Sequence, residues 1–462
     1  MNKFYITTSI AYVNAAPHLG FALELIQADI IARFQRNKGN EVFFLTGTDE
    51  HGAKIVKAAE AAGKNPKDFV DENAAKFEAL KNILNISWDD FIRTSDQNRH
   101  WLGVVSLWNK LVEAGDIYKK NYRGLYCVGH EAFVTEKDLV NGKCRDHNKE
   151  PEIIEEENYF FKLSKYALQV RELIANGELL ITPEGRAREI INFIDQGIED
   201  ISFSRPRKDL SWGVPVPGDD TQTIYVWADA LSNYLYPKNQ WPADLHCIGK
   251  DILRFHALFW PAMLLSAKLN LPKSLFVHGH ITVDGQKMSK TLGNVVDPVE
   301  LVKKYGADAV RYYLLREIPS TDNGDFSYKK FEERYNADLA NGLGNFTARV
   351  LTLAAKLKDN ESRSANDEIK GKIKLITETI NEKMQGYKFN EALAAIWELI
   401  AFGDAYVNEK KPWESKDAVV IGNLIFLLEN IADLLKPFLP ETAEKISESV
   451  KKKIKINLFP RV

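Results

Sequence analysis

Two short stretches carry side chains suited to handling phosphate, Pro17-His18-Leu19-Gly20 and Lys287-Met288-Ser289-Lys290-Thr291. The first follows an extended run from Phe4 to Ser9 and opens a helical stripe of Leu19, Leu23, Ile26, Ile30 and Phe34. A strand, a tight turn and a helix start would offer a phosphate unpaired N–H groups and the positive end of the helix dipole. His18 adds a donor, and Gly20 lets a flat ligand lie against the backbone. In the second stretch, Lys287 and Lys290 lie between Gly285 and Gly293, which predicts a mobile loop able to close over a polyphosphate. A third cluster, Asp49-Glu50-His51, reads either as a helix N-cap or as a ligand-facing carboxylate. A cap has no need of His51, which favours the second reading.

A different chemistry is written in Cys127-Val128-Gly129-His130 and Cys144-Arg145-Asp146-His147. Two close ligands from each of two turns can surround a tetrahedral Zn2+, and Gly142 predicts a knuckle-like turn before the second pair. The bland alternative is a pair of ordinary hydrogen-bonded turns.

Elements that could position these groups follow from the apolar pattern. Glu41 to Leu45 reads as a second buried strand and Ala53 to Ala62 as a helix ending at Gly63, so strand and helix alternate with short links. That alternation predicts a doubly wound parallel sheet, with ligands beyond the carboxyl ends of its strands. The pattern breaks over residues 121–226, where Thr182-Pro183-Glu184 reads as a helix start with Thr182 as N-cap. Strand-like runs resume at Thr223–Trp227, His246–Gly249 and Leu275–His280, which predicts that the interrupted sheet is completed there. From 331 onward Leu339, Leu343, Phe346, Val350, Leu353 and Leu357 form the seam of a helix bundle. Asn345 and Arg349 project together beside it, and Pro412 should end or kink a helix just before Trp413.

Composition narrows the classes. The chain has 462 residues, 45% hydrophobic and 27% charged, with net charge −3, which describes a globular protein of two to four domains. The charge excludes indiscriminate coating of nucleic acid but leaves room for a local RNA-binding face. No stretch is read as a membrane span, Ala257–Leu265 being a short buried helix kinked at Pro261, and the N-terminus lacks a signal core, so a cytoplasmic protein with no membrane partner is expected. Three cysteines do not make a disulfide framework.

The pairing of His18-Leu19-Gly20 with Lys287-Met288-Ser289-Lys290-Thr291 resembles the class I aminoacyl-tRNA synthetases, and within them the methionyl-tRNA synthetase family over essentially the whole chain. Ser9 to Asn14, Phe44 to Gly52, Tyr225 to Leu231, Gly249 to Ile252, Phe255-His256 and the knuckle are similar to that family's blocks. The resemblance implies a split Rossmann-like catalytic domain in two halves, 1–120 and 227–330, a zinc-knuckle insertion at 121–226 and an α-helical anticodon-binding domain at 331–462. It implies ATP, L-methionine and tRNA(Met) as partners, Mg2+ with the ATP and one structural Zn2+ on Cys127, His130, Cys144 and His147. Ile10, Tyr12, Trp227, Ala230, Leu231, Tyr234, Ile252 and His256 match positions that enclose the methionine side chain, and Asp49 matches the carboxylate that holds its ammonium. His18, Lys287 and Lys290 match catalytic groups, with Asn14, Gly20 and Ser289 also on the ATP side, while Asn345, Arg349, Pro412 and Trp413 match positions that read a CAU anticodon.

One departure matters. The family usually has a second His, or another polar residue, where this chain has Phe21; Asn14 and His51 are the candidates to supply the missing donor. The chain stops at Val462, without the appended module of some relatives, which predicts a monomer. The alternatives are a class I synthetase for another apolar or sulfur amino acid and a catalytically silent tRNA-binding paralogue.

Overall fold

The computed structural model describes residues 2–129, 132–134, 136–146, 148–237, 239–288, 293–357, 365–415 and 417–462. The main sheet has strands β1 (Lys3–Thr8), β2 (Ala11–Tyr12), β3 (Glu41–Asp49), β4 (Asp90–Arg93), β5 (Leu180–Thr182), β6 (Leu245–Gly249) and β7 (Ser274–His278), of which β1, β3, β6 and β7 fall on apolar runs read from the sequence and β2, β4 and β5 do not. They make one seven-stranded sheet in the order β5-β7-β6-β1-β3-β2, with β4 also paired to β3. β1 is parallel to β3 and β6, β3 is parallel to β2 and β4, and β5 is parallel to β7. The interrupted Rossmann-like sheet therefore forms as predicted, and the insertion itself contributes the edge strand β5. Gly47 is needed where β3 meets β4, because a Cβ there would lie 2.0 Å from the Ile92 carbonyl oxygen.

The chain divides into two compact units. One comprises Met1–Pro17, Gly39–Ala79 and Trp88–Val277; the other comprises His18–Lys38, Leu80–Ser87 and His278–Val462. In the first, Trp108, Phe161, Phe203, Tyr225, Leu231, Tyr234 and Trp260 belong to one buried core. Its insertion is built on the antiparallel pair Ile117–Cys127 and Glu152–Phe161. A small hairpin, Leu139–Val140 with Lys143–Cys144, turns at Asn141 and Gly142, both at positive φ, the conformation that Asn-Gly adopts most readily.

In the second unit the helix Leu19–Asn37 is buried on nearly every face, so its polar residues must find partners. Glu24 reaches His278 at 2.8 Å and Asp29 reaches Arg311 at 2.7 Å, the latter pair with both side chains fully buried. Arg311 also donates to the carbonyls of Leu84, Pro437 and Phe438, tying three segments together. Removing one member of such a pair costs about 3–5 kcal/mol.

The helices Asn345–Ala354, Asp367–Gln385, Phe389–Lys410, Ala418–Leu435 and Pro440–Lys452 follow. Leu339, Leu343, Phe346, Val350 and Leu353 are buried as the seam requires, and Leu357 is half-buried. Gly403 lets helices approach, since a Cβ there would fall 2.5 Å from the Phe346 ring and 2.9 Å from Leu427.

Several local expectations change. Thr182 ends β5, and Pro183 rather than Thr182 is the cap of the helix Glu184–Asp195; lacking an N–H, proline loses nothing there. The run Thr223–Trp227 is split between a strand ending at Ile224 and a helix from Val226. Before Pro261 the chain makes a wide π-helical turn, Phe255–Phe259, instead of a simple kink, which accommodates the ring and the missing N–H. Contrary to the reading that no stretch has the length of a span, Ala418–Leu435 is long and apolar enough to cross a membrane. Its Ile421, Leu424, Leu428 and Ile431 are buried against the bundle, which accounts for the apolarity.

Candidate functional site

In the first unit the carboxyl end of the sheet brings Tyr12 and Asp49 side by side, as partners in the β2–β3 register. Asp49 is buried, and its Oδ1 receives the His51 N–H at 3.4 Å and the Thr94 hydroxyl at 3.5 Å. The following helix is capped by Gly52 with no side-chain cap bond, so Asp49 is not an N-cap and the ligand-facing reading gains.

Tyr12, Trp227, Leu231, Tyr234 and Ile252 all belong to or pack on the main core of this unit. Trp227 stacks on Phe255 with centroids 3.6 Å apart and meets the His256 ring edge-on at 6.4 Å. Ala230 is buried on the same short helix as Trp227, whereas Ile10 packs on a neighbouring cluster of Tyr5, Leu45, Ile92 and Ala243. The Tyr5 hydroxyl joins the two by donating to the Tyr234 carbonyl at 3.0 Å.

His256 has a defined tautomer. Its Nδ1 lies 3.0 Å from the Ile252 carbonyl, which can only accept, so the proton is on Nδ1 and the Tyr234 hydroxyl donates to Nε2 at 2.8 Å. Burial pushes its pKa down to about 4. Burial, and then repulsion from His256, also holds His246 well below its ordinary value, its Nδ1 lying 2.7 Å from Thr7 Oγ1. An apolar, aromatic and uncharged wall next to a buried carboxylate suits a ligand with an ammonium at one end and a polarisable thioether at the other.

The second unit holds the phosphate-type residues. His18 is the N-cap of the helix Leu19–Asn37, and its Nδ1 accepts the Gly20 N–H at 3.0 Å. A neutral His18 therefore carries its proton on Nε2, and the residue as a whole is exposed. Glycine at 20 is what lets the His18 ring hold this place: a Cβ would lie 2.9 Å from His18 Cε1 and 3.8 Å from Met288 Cε, which also shows that the second stretch reaches the His18 turn.

The expectation of unpaired N–H groups at this helix start is overturned. Leu19 donates to the Val296 carbonyl at 3.2 Å, and Phe21 and Ala22 donate to the His18 carbonyl at 3.1 and 3.2 Å. With Gly20 on the His18 ring, the first turn is satisfied within the chain, leaving the helix dipole and side chains to meet a phosphate. The mobile-loop expectation also changes on its Gly285 side. Asp284 and Gly285, both at positive φ, close a tight hairpin in which Lys287 pairs with Thr282, and Asp325 Oδ1 accepts the Gly285 N–H at 2.7 Å. Lys287 is exposed on that hairpin, and its carbonyl accepts from Asn294 at 3.2 Å. Ser289 and Lys290 lie outside the described residues. Asn14, in the first unit, is exposed, and Phe21 is half-buried.

Cys127 and Cys144 are buried thiols of one small cluster with Val134, flanked by Leu125 and Leu139. His130 and His147 lie outside the described residues, and among those described no group of three potential metal ligands occurs. In the helical region, Arg349 donates to Asp404 at 2.8 Å and to Asn408 at 2.6 Å, and lines a groove of about 290 Å3 with Thr352, Lys356, Val407 and Trp413. Burial, against the pull of Arg349, raises the Asp404 pKa. Asn345 is exposed one turn earlier. The helix Phe389–Lys410 stops at Lys411, in the left-handed conformation, and Pro412 begins a new short helix that leaves Trp413 45% exposed.

Sequence reasoning missed one feature of the first unit. Asp229, within the Tyr225 to Leu231 block, accepts from His51 Nδ1 and His100 Nε2, each at 2.6 Å. Burial alone would raise this carboxyl, but the charge of His51 and the hydrogen bonds from both rings outweigh it and hold the pKa at about 2. An aspartate between two core residues was the available signal, without any sign of its partners.

Comparison with known proteins agrees with this arrangement. The family described as "tRNA synthetases class I (M)" matches residues 4–150 and 134–351, and the "Anticodon-binding domain of tRNA ligase" matches 366–461. A methionine–tRNA ligase of Clostridium acetobutylicum is 44% identical over 96% of this chain and 72% of its own length. One from Brucella suis is 41% identical over 96% of this chain and 91% of its own. The structure of Mycobacterium tuberculosis methionyl-tRNA synthetase in complex with methionyl-adenylate superposes with a TM-score of 0.91 at 40% identity, covering 97% of this chain and 94% of that one. Likeness at this level runs through sheet, insertion and helical region alike, and the chain belongs to the methionyl-tRNA synthetase family of class I aminoacyl-tRNA synthetases.

Proposed function

We infer that the chain is a methionine–tRNA ligase, and the observation that carries this beyond family membership is the buried Asp49 beside Tyr12 together with the neutral wall of Trp227, Tyr234 and His256. Asp49 holds the methionine ammonium, while Ile10, Tyr12, Trp227, Ala230, Leu231, Tyr234, Ile252 and His256 enclose the side chain. The methionine carboxylate oxygen then bonds to the α-phosphorus of ATP as the bond to the β-phosphate oxygen breaks, giving methionyl-adenylate and pyrophosphate.

His18, through its Nε2, and Lys287 with Lys290 stabilise the charge that builds on the phosphates; Asn14, Gly20 and Ser289 help to seat the nucleotide. Mg2+ travels on the triphosphate and supplies charge neutralisation there. The terminal hydroxyl of tRNA(Met) next attacks the adenylate carbonyl and AMP leaves. No covalent enzyme intermediate is required, so positioning carries the reaction. Asn345, Arg349, Pro412 and Trp413 read the anticodon: the half-exposed Trp413 stacks on an unpaired base and Arg349, held by Asp404, meets base edges.

ATP–pyrophosphate exchange run separately with methionine, leucine, isoleucine and cysteine tests this reading. Exchange with methionine alone is expected; exchange with another amino acid, or with none, would overturn it in favour of a different class I synthetase or a silent paralogue. The functional partition proposed is catalytic over 1–120 and 227–330, knuckle insertion over 121–226 and anticodon binding over 331–462. One structural Zn2+ on Cys127, His130, Cys144 and His147 fits the two buried, clustered thiols, and would staple the part of the insertion around them, where the apolar cluster is small. Metal analysis should find about one zinc per chain, and less than about half would count against it. The same reading expects a cytoplasmic monomer, which light scattering of the purified protein checks.

A further inference from the structure

We propose that Asp229 is a positioning residue for the methionine ammonium, acting through His51 on the loop that carries Asp49; the proposal rests on the methionine-activating function. Asp229 lies on the helix Val226–Leu231, between Trp227 and Ala230–Leu231, all three assigned to the side-chain wall. Its two oxygens reach to other segments. Oδ2 accepts from His51 at 2.6 Å and Oδ1 from His100 at 2.6 Å, with all three side chains no more than 3% exposed. His51 in turn gives its backbone N–H to Asp49 Oδ1.

The loop is held from its other sides as well. Trp212 accepts the Gly52 N–H on its carbonyl at 3.2 Å and donates its indole N–H to the Glu50 carbonyl at 2.6 Å, while its ring meets His51 edge-on at 5.7 Å. Thr94 accepts the Glu50 N–H at 2.8 Å, and Trp101, beside His100, donates to the Thr94 carbonyl at 3.0 Å and lies edge-on to His51 at 6.0 Å. The carboxylate that should bind the ammonium and the wall that should bind the side chain thus come from separate segments. Asp229 is the one group in this network that belongs to the wall's own helix and bonds the His51 ring of the loop. A carboxylate can only accept, so both rings must point an N–H at it, which fixes their orientation. Asparagine in its place would set an NH2 against one of those N–H groups and force a ring to flip or withdraw. The tie between the ammonium anchor and the part of the wall carried by the helix Val226–Leu231 would then be lost, while Tyr12 stays beside Asp49 in the sheet.

The experiment measures methionine-dependent pyrophosphate exchange for Asp229→Asn, with inhibition by methioninol and by 4-(methylthio)butan-1-ol, the same molecule without its amino group. The expected result is a rise in KM for methionine and in Ki for methioninol of about tenfold or more, with KM for ATP and Ki for the desamino alcohol within about twofold. A merely structural role would weaken both inhibitors alike, and that outcome, or no change in either, overturns the proposal. If Asp229→Asn does not fold, His51→Ala and His51→Asn carry the test. Asparagine keeps an N–H where His51 Nδ1 stands, so it should recover the methioninol affinity that alanine loses; failure to recover it also overturns the proposal. Absence of methionine exchange in the unaltered protein would instead refute the function on which the proposal rests.

Discussion

Replacing Gly20 by alanine should separate stability from catalysis. The new methyl would stand 2.9 Å from His18 Cε1 and 3.0 Å from Nδ1, closer than packed carbon atoms approach, so the imidazole must swing away. It then gives up the Gly20 N–H···Nδ1 bond, a loss of about 1 kcal/mol for a helix N-cap. Alanine in a helix gains roughly 0.5–1 kcal/mol over glycine, so the two effects nearly cancel. Net stability should stay within about 1 kcal/mol of the parent, a melting-temperature change of only a few degrees in a chain of this size.

Catalysis has no such offset. The Nδ1 bond is what commits the ring proton to Nε2 and aims it, and losing one aimed donor to a developing phosphate charge costs about 3 kcal/mol, on the order of a hundredfold or more in rate. Pyrophosphate exchange at saturating methionine and ATP should therefore fall by about two orders of magnitude. Methionine affinity, set by residues of the other unit, should hold. Exchange within about threefold of the parent, in a protein whose His18 ring is displaced, would refute the assignment of His18 as an oriented donor.

Three further outcomes follow from the same geometry. His256 is fully buried with a pKa lowered to about 4 from an ordinary 6.5, so the unfolded chain binds its proton first; the stability it contributes is complete above about pH 6.5 and is lost as pH falls towards 4. Its share of that loss is about 3 kcal/mol, and His256→Gln should flatten the pH dependence of the urea midpoint by that amount. Phe21→His should leave methionine affinity unchanged and preserve or raise the activation rate in exchange kinetics, because the half-buried Phe21 stands in the first turn of the His18 helix, where an imidazole would add a donor on the phosphate side; a large loss of rate would contradict the view that a donor is missing there. Trp413→Ala should lower kcat/KM for tRNA(Met) charging by roughly tenfold or more, as expected for one lost base stack worth about 1–3 kcal/mol, and leave pyrophosphate exchange as it was.

What could be read from the chain before folding, and what could not, divides by the distance over which each feature is decided. The strand runs at Lys3–Thr8 and Glu41–Asp49, the buried stripe of Leu19, Leu23, Ile26 and Ile30, and the bundle seam from Leu339 to Leu353 were legible because periodicity is a local property. The ends and special turns were less so. Thr182 and Pro183 form a sensible capping pair by type, yet pairing of β5 with β7 draws Thr182 into the sheet and shifts the cap by one residue.

The deeper misses share one cause: a polar group's partner lies far along the chain. The first turn of the His18 helix looked open because nothing near residue 19 announces that the carbonyl of Val296 will accept the Leu19 N–H. Asp229 looked like a helix residue among core neighbours because His100 and His51 stand 129 and 178 positions away. Once buried, such groups cannot stay unpaired without a cost of about 1–3 kcal/mol each, so the folded chain tends to pair them across long stretches of sequence. In this protein the answers bear on the proposed function: the carbonyls of Val296 and His18 and the His18 ring take up the N–H groups of the first turn, so in that proposed function the phosphates fall to His18 and the lysines. Through Asp229, His51 ties the helix Val226–Leu231 to the loop of Asp49, and His100 ties it to the helix His100–Glu113. A reading of the site by residue type finds the groups that touch substrate; accounting for every buried hydrogen bond finds the ones that hold them in place.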